Sequence, residues 1–164
     1  MAKEYLIEVV EGLGFDHVST FIASGNVLFD PGDDRGDDGR ETARRIAAAL
    51  EARLGYAVPT TIRTGPELTA IAEYEPFPAT VVAERGKPQV MLLFEQASKR
   101  TMAEVLAMQG PDDLLAFGDG GRELHWLPNA GILGADLDLD GITDLVGTNT
   151  MRTLNTVRRL VPKL

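Results

Sequence analysis

The side chains able to do chemistry are few and scattered. The 164-residue chain contains no cysteine, which removes thiolate catalysis, thiolate-bound zinc and iron–sulfur clusters. Its two histidines, His17 and His125, are too far apart in sequence to form a spaced ligand pair, and no His-Glu-x-x-His or serine-nucleophile motif occurs. His125 adjoins Trp126 on a β-prone run, so the two side chains should point to opposite faces, one buried and the other available. Proton transfer by such a histidine would need a carboxylate partner in reach. Asp136-Leu137-Asp138-Leu139-Asp140-Gly141 opens like a calcium-binding loop, but its twelfth position is Gly147 where a bidentate glutamate should close the site. Asp30 to Gly39 holds five aspartates and three glycines; it could gather a cation, and reads instead as a mobile, metal-free, solvated loop. No phosphate-cradling glycine loop follows a strand and opens a helix, and Gly118 to Gly121 reads as a turn. The chemistry thus assigns no catalytic residue, no metal and no cofactor.

The formal net charge of −9 repels polyanions at long range and argues against a nucleic-acid partner. Only 6% of the residues are aromatic, with no basic-aromatic run of the kind that stacks bases on a sheet. No apolar run is long enough to span a membrane, and Glu4, Glu8 and Glu11 occupy a stretch that a signal peptide would keep uncharged. The expected location is the cytoplasm.

The elements that must position these side chains follow from hydrophobic spacing. Leu6, Val9, Val10 and Leu13 predict a helix over Ala2 to Leu13. Val18 to Ala23 and Asn26 to Phe29 predict two antiparallel strands around Ser24-Gly25-Asn26. Ala43, Ile46, Ala47, Leu50 and Leu54 form one face of a second helix. Val58 to Arg63 predicts a strand, tolerable only at an edge because of Pro59. Thr64-Gly65-Pro66-Glu67 has the spacing of a capping box before a helix carried by Leu68, Ile71 and Ala72. Three prolines within 75–88 suggest a linker.

Beyond it, Val90 to Phe94 predicts a strand buried on both faces, with a helix at Met102, Val105 and Leu106. Leu114 to Phe117 and Glu123 to Leu127 flank the glycine turn. A helix-like segment over Ile132 to Val146, a short strand over Thr148 to Arg152 and a helix at Leu154, Val157 and Val161 complete the chain. The expected class is α+β, with two ferredoxin-like (split βαβ) modules in tandem, the first lacking its opening strand. The expected division is 1–74, a linker 75–87, and 88–164.

Leu13-Gly14-Phe15, the run Thr20 to Phe29, Arg63-Thr64 with Glu67-Leu68, Pro76-Phe77 and Arg152 to Leu160 together resemble the bacterial family catalogued as domain of unknown function 1697. The similarity covers the whole chain and rests on order and spacing. It departs in three places. The family's opening strand and its Arg-Gly-Ile-Asn-Val-Gly-Gly run are absent, Gln89 stands where relatives often carry histidine, and Thr153-Leu154 replaces Asn-Trp. Met1 aligns inside the family's first helix, so a first module of three strands with a gap is expected, open to self-association through its unpaired strands.

The resemblance implies a polar binding set of Ser24, Asn26, Arg63, Arg152 and Thr156. It transfers no activity, since fold is not function. The preferred expectation is a non-catalytic binding or interaction protein with a cleft between the two modules, its partner an unknown small molecule or protein. The alternative is a small cytoplasmic enzyme with an arginine-lined cleft, in which Arg63 or Arg152 holds an anion and His125 acts as acid or base.

Overall fold

The computed structural model describes residues 3–22, 25–32, 39–129 and 135–164. The fold is α+β, and the chain divides into two compact units, Met1–Thr64 and Gly65–Lys163.

In the first unit α1 (Lys3–Gly12) and α2 (Arg40–Leu54) accompany a two-stranded antiparallel sheet of β1 (Asp16–Phe21) and β2 (Asn26–Asp30). Leu6 and Val10 of α1, Ile46 and Leu50 of α2, and Phe15 form its buried core. Phe15 packs on Phe29 with ring centroids 4.7 Å apart, and the Arg45 guanidinium lies over the Phe15 ring while donating to the Leu13 carbonyl. Gly25 takes the positive φ of 75° expected at the hairpin turn.

The expected third strand of this unit is not formed. Residues 58–63 lie in irregular conformation, because Pro59 lacks a ladder donor and the sheet among the described residues has only β1 and β2. Val58 and Ile62 nevertheless pack against the core. Of the acidic loop, residues 33–38 lie outside the described set.

The second unit opens with α3 (Gly65–Glu73), which packs with α7 (Leu154–Leu160), so the boundary falls ahead of residue 74. The proline-rich segment expected to be a linker contains a helix, α4 (Ala79–Arg85), whose Arg85 donates to the Asp112 carbonyl. Next come β3 (Gln89–Leu93), α5 (Lys99–Ala107), β4 (Leu114–Phe117), β5 (Glu123–Leu127), α6 (Leu139–Val146) and β6 (Asn149–Thr153). The sheet order is β4-β5-β3-β6, all antiparallel, the order that a β-α-β-β-α-β chain makes when its first strand takes a central place.

Strand alternation sends two sets of side chains to two faces. Met91 and Leu93, Leu124 and Trp126, and Leu115 pack against Val105 of α5 and Ile142 and Val146 of α6. On the other face Val90 packs with Ile71 and Ala72 of α3 and Leu154 and Val157 of α7. A four-stranded antiparallel sheet commonly leaves one face wet; here helices cover both.

Trp126 is 2% exposed, and its indole Nε1 donates to the Asp113 carboxylate at 2.7 Å. Asp113 is itself buried, so this bond satisfies two groups that would otherwise be desolvated. Asp113→Ala should lower unfolding stability by about 1–3 kcal/mol through the orphaned indole N–H. Asp113→Asn, which keeps an acceptor oxygen, should lose less; urea unfolding followed by the fluorescence of the single tryptophan measures both.

Candidate functional site

β5 places Glu123, His125 and Leu127 on one face and Leu124 and Trp126 on the other. His125 pairs with Val90 of β3 and Ala116 of β4, and Val90 pairs on its far side with Arg152 of β6. His125, Val90 and Arg152 therefore form one row beneath α3 and α7. Both His125 and Trp126 are buried, which corrects the expectation that one of them would be accessible. The reason is the second helical layer, which closes the face that a bare split βαβ sheet would expose.

The hairpin from β4 to β5 is closed by bonds from Gly118 N–H to the Glu123 carbonyl at 2.9 Å and from Gly121 N–H to the Gly118 carbonyl at 3.0 Å. Gly121 holds φ at 64°, and a Cβ there would stand 3.1 Å from the Ala97 carbonyl oxygen and 3.2 Å from Met102 Sδ. No other residue fits without strain. This turn, α3 and the start of β5 line a cavity of about 240 Å³ that is open to solvent on one side. Its chemistry comes from Glu67 and Tyr74 of α3, Asp119 of the turn, and Arg122, Glu123 and His125.

Glu67, expected to close a capping box, accepts from Arg122 Nη1 at 2.8 Å. This ion pair is partly shielded, with the arginine side chain 18% exposed, so it is screened less than a surface pair. The Tyr74 ring meets the His125 ring edge-on, centroids 5.0 Å apart, and its hydroxyl donates to the Phe117 carbonyl. His125 is 1% exposed, and neither of its ring nitrogens has a hydrogen-bond partner among the described residues. Burial lowers its pKa to about 4, so at neutral pH it is an uncharged imidazole with one donor and one acceptor to offer. A group so weakly basic removes protons poorly at neutral pH.

The sequence-derived binding residues lie elsewhere. Asn26 begins β2 opposite Phe21 and donates to the Phe21 carbonyl across the hairpin, while Ser24 lies outside the described residues. Arg63, in the first unit, donates to Thr61 Oγ1 and to the Ile62 carbonyl. In the second unit Arg152 donates to Thr150 Oγ1 at 2.7 Å and to the Met151 carbonyl at 2.8 Å, and burial lowers its pKa. Thr156 stands in the first turn of α7, its N–H donating to the capping Thr153 Oγ1. None of these four described residues lines the cavity.

Sequence reasoning passed over Glu67, Tyr74, Arg122 and Glu123. A signal existed for two of them, since Arg122 and Glu123 leave the glycine turn and alternation puts Glu123 on the His125 face. Asp138, from the calcium-loop-like run, caps α6 by accepting from Gly141 N–H at 2.9 Å. Among the described residues no group of three His, Asp or Glu side chains is placed to hold a metal ion.

The pKa of His125 has a consequence for stability. Its ordinary value of 6.5 is depressed to about 4 in the folded protein, so between these values the unfolded chain binds a proton that the folded one refuses. Stability should therefore fall as pH drops from 6.5 towards 4, by about 3 kcal/mol from this group. Urea midpoints at pH 7.5 and 4.5 check this against His125→Leu, which should lose less stability over that interval.

No curated protein and no solved structure matches the chain. A family model described as "Protein of unknown function (DUF1697)" matches residues 1–121, a span that takes in the first unit, α3, β3, α5, β4 and the glycine turn. Arg122, Glu123 and His125 follow immediately after it. With nearly three quarters of its length matched in order, the chain belongs to the DUF1697 family of proteins of unknown function.

Proposed function

We propose that this chain is a non-catalytic binding protein of the cytoplasm, and that its ligand is a small molecule held in the cavity of the second unit. The observation that supports this reading is the convergence of Glu67, Tyr74, Asp119, Arg122, Glu123 and His125 on one cavity, with both His125 ring nitrogens buried and without a hydrogen-bond partner among the described residues. A buried polar group without a partner costs about 1–3 kcal/mol, and the neighbouring Trp126 shows that this sheet can satisfy such a group when folding alone is at stake. The ring nitrogens are closed off in the free protein, so a ligand offering a donor and an acceptor reaches them only by shifting the side chains around them. The site is internal to the second unit, and its polar groups converge over an apolar floor of Ala70 and Ile71.

One observation favours the enzyme alternative: His125, an arginine and carboxylates line a single cavity. The arginine is Arg122 rather than Arg63 or Arg152. The depressed pKa of His125 weighs against it, because a general base works best with a pKa near the working pH.

A thermal-shift screen against metabolites and nucleotides tests the proposal, using wild type and His125→Leu side by side. The variant removes two unpaired polar atoms at similar volume, so the free protein should be more stable than wild type by about 1–3 kcal/mol. A true ligand at a hundred times its Kd should stabilise wild type by about 2.7 kcal/mol and the variant much less. A ligand that stabilises both equally would contradict the site.

A further inference from the structure

We infer that the first unit takes up one β-strand from another polypeptide, between β2 and residues 58–63, and that the segment it accepts is a short extended run, apolar at alternate positions and led by a basic residue. The inference comes from setting the two units side by side, element by element, and does not depend on the cavity of the second unit. The order α1-β1-β2-α2 of the first unit repeats the order α5-β4-β5-α6 of the second. In the second unit β5 bonds to β4 on one edge and to β3 on the other, and β6 lies beyond β3. In the first unit β2 bonds to β1, and the described residues hold no strand along its other edge.

The counterpart of β6 is present in outline. After α2 the chain turns back until Ile62 lies at the start of that helix, its Cγ2 3.1 Å from where a Cβ on Gly39 would stand. Val58 and Ile62 pack on the core, yet residues 58–63 are not in strand conformation. β6 is held as a strand by β3, and the first unit has no counterpart of β3 among its described residues. Burial on the helix-covered face agrees. Val27 and Phe29 of β2 are only half-buried there, where Leu124 and Trp126 of β5 are 1% and 2% exposed. A two-stranded sheet is marginal by itself, and an uncovered edge is a template for another strand.

The surroundings fix the chemistry of that strand. Lying antiparallel to β2, as β3 lies to β5, it begins beside the end of β2, where Asp30 pairs with Asp16. A basic residue ahead of the run therefore meets two carboxylates. Every second side chain turns towards the core of Ile46, Leu50, Val27 and Phe29 and must be apolar, while the alternate ones face away from α1 and α2. Backbone bonds to β2 supply affinity and the alternation supplies selection.

The probe is a synthetic peptide of residues Lys87 to Glu95 carrying Val90→Thr and Leu92→Thr, which keeps Met91 and Leu93, the residues that face the helices in β3. Titrated into the intact chain, it should shift the amide NMR signals of Val27 to Asp30 and of Val58 to Thr61. It should bind roughly tenfold or more tightly than the same peptide with Met91→Asp, and several-fold more tightly than one with Lys87→Glu. Only the peptide varies, so the fold of the protein is not at risk. Shifts centred on β5 and β6 would show displacement of β3 and overturn the inference. So would equal binding of the Met91→Asp peptide, or no shift in the first unit at millimolar peptide. A dimer of the free chain in sedimentation that the peptide fails to dissociate would give the edge to a second copy and likewise overturn it.

Discussion

The second unit depends on one constraint, the pairing of β3 along both of its edges. β3 bonds to β5 on one side and β6 on the other, so it can reach water only through its faces. Its sequence Gln-Val-Met-Leu-Leu puts apolar side chains on both of them, Met91 and Leu93 on one and Val90 and Leu92 on the other. Two helical layers must follow, since burying such side chains is the main favourable term in folding. α5 and α6 form one layer, and α3 and α7 the other. The latter pair comes from opposite ends of the unit and is tied together by Arg158 of α7, which donates to the Ala72 carbonyl and to Glu75. Ser98, Asp138 and Thr153 cap α5, α6 and α7, contributing the order of 1 kcal/mol each that such caps give.

The second layer decides the character of β5. Trp126 and His125 are adjacent, point to opposite faces and are both almost fully buried. One is satisfied by a carboxylate and the other by nothing among the described residues. Two neighbouring polar groups on one strand thus meet different fates in the same fold. Unpaired buried groups are rare in folded proteins, and this one lies where a cavity, an ion pair and a glycine turn meet.

Local features were legible in the sequence because they are local. Helical spacing in α1, the glycine at the first hairpin, the apolar run of β3 and the opposite facing of His125 and Trp126 follow from periodicity and turn chemistry within a few residues. What escaped was long-range. That α3 packs with α7 rather than closing the first module is a pairing across most of the second unit, and no local pattern encodes it. Hence His125 read as a surface candidate, and Glu67 as a helix cap when its carboxylate meets Arg122 across the cavity. Val58 to Arg63 shows the converse: strand propensity was present, but a strand needs a neighbour to bond, and Pro59 further reduced what it could offer. The helix α4 escaped because three prolines outweighed the short run Ala79–Arg85 between them.

The account turns on His125 being buried, neutral and without a protein partner. Long-range proton–nitrogen NMR of its imidazole, followed from pH 8 to pH 3, reads this directly through the two ring nitrogens. A midpoint near 4, with the ring uncharged throughout the neutral range, is the result expected of an imidazole held in the wall of a cavity. A midpoint near the ordinary 6.5 would mean that the ring is solvated or paired with a carboxylate, and would contradict the receptor assigned to it.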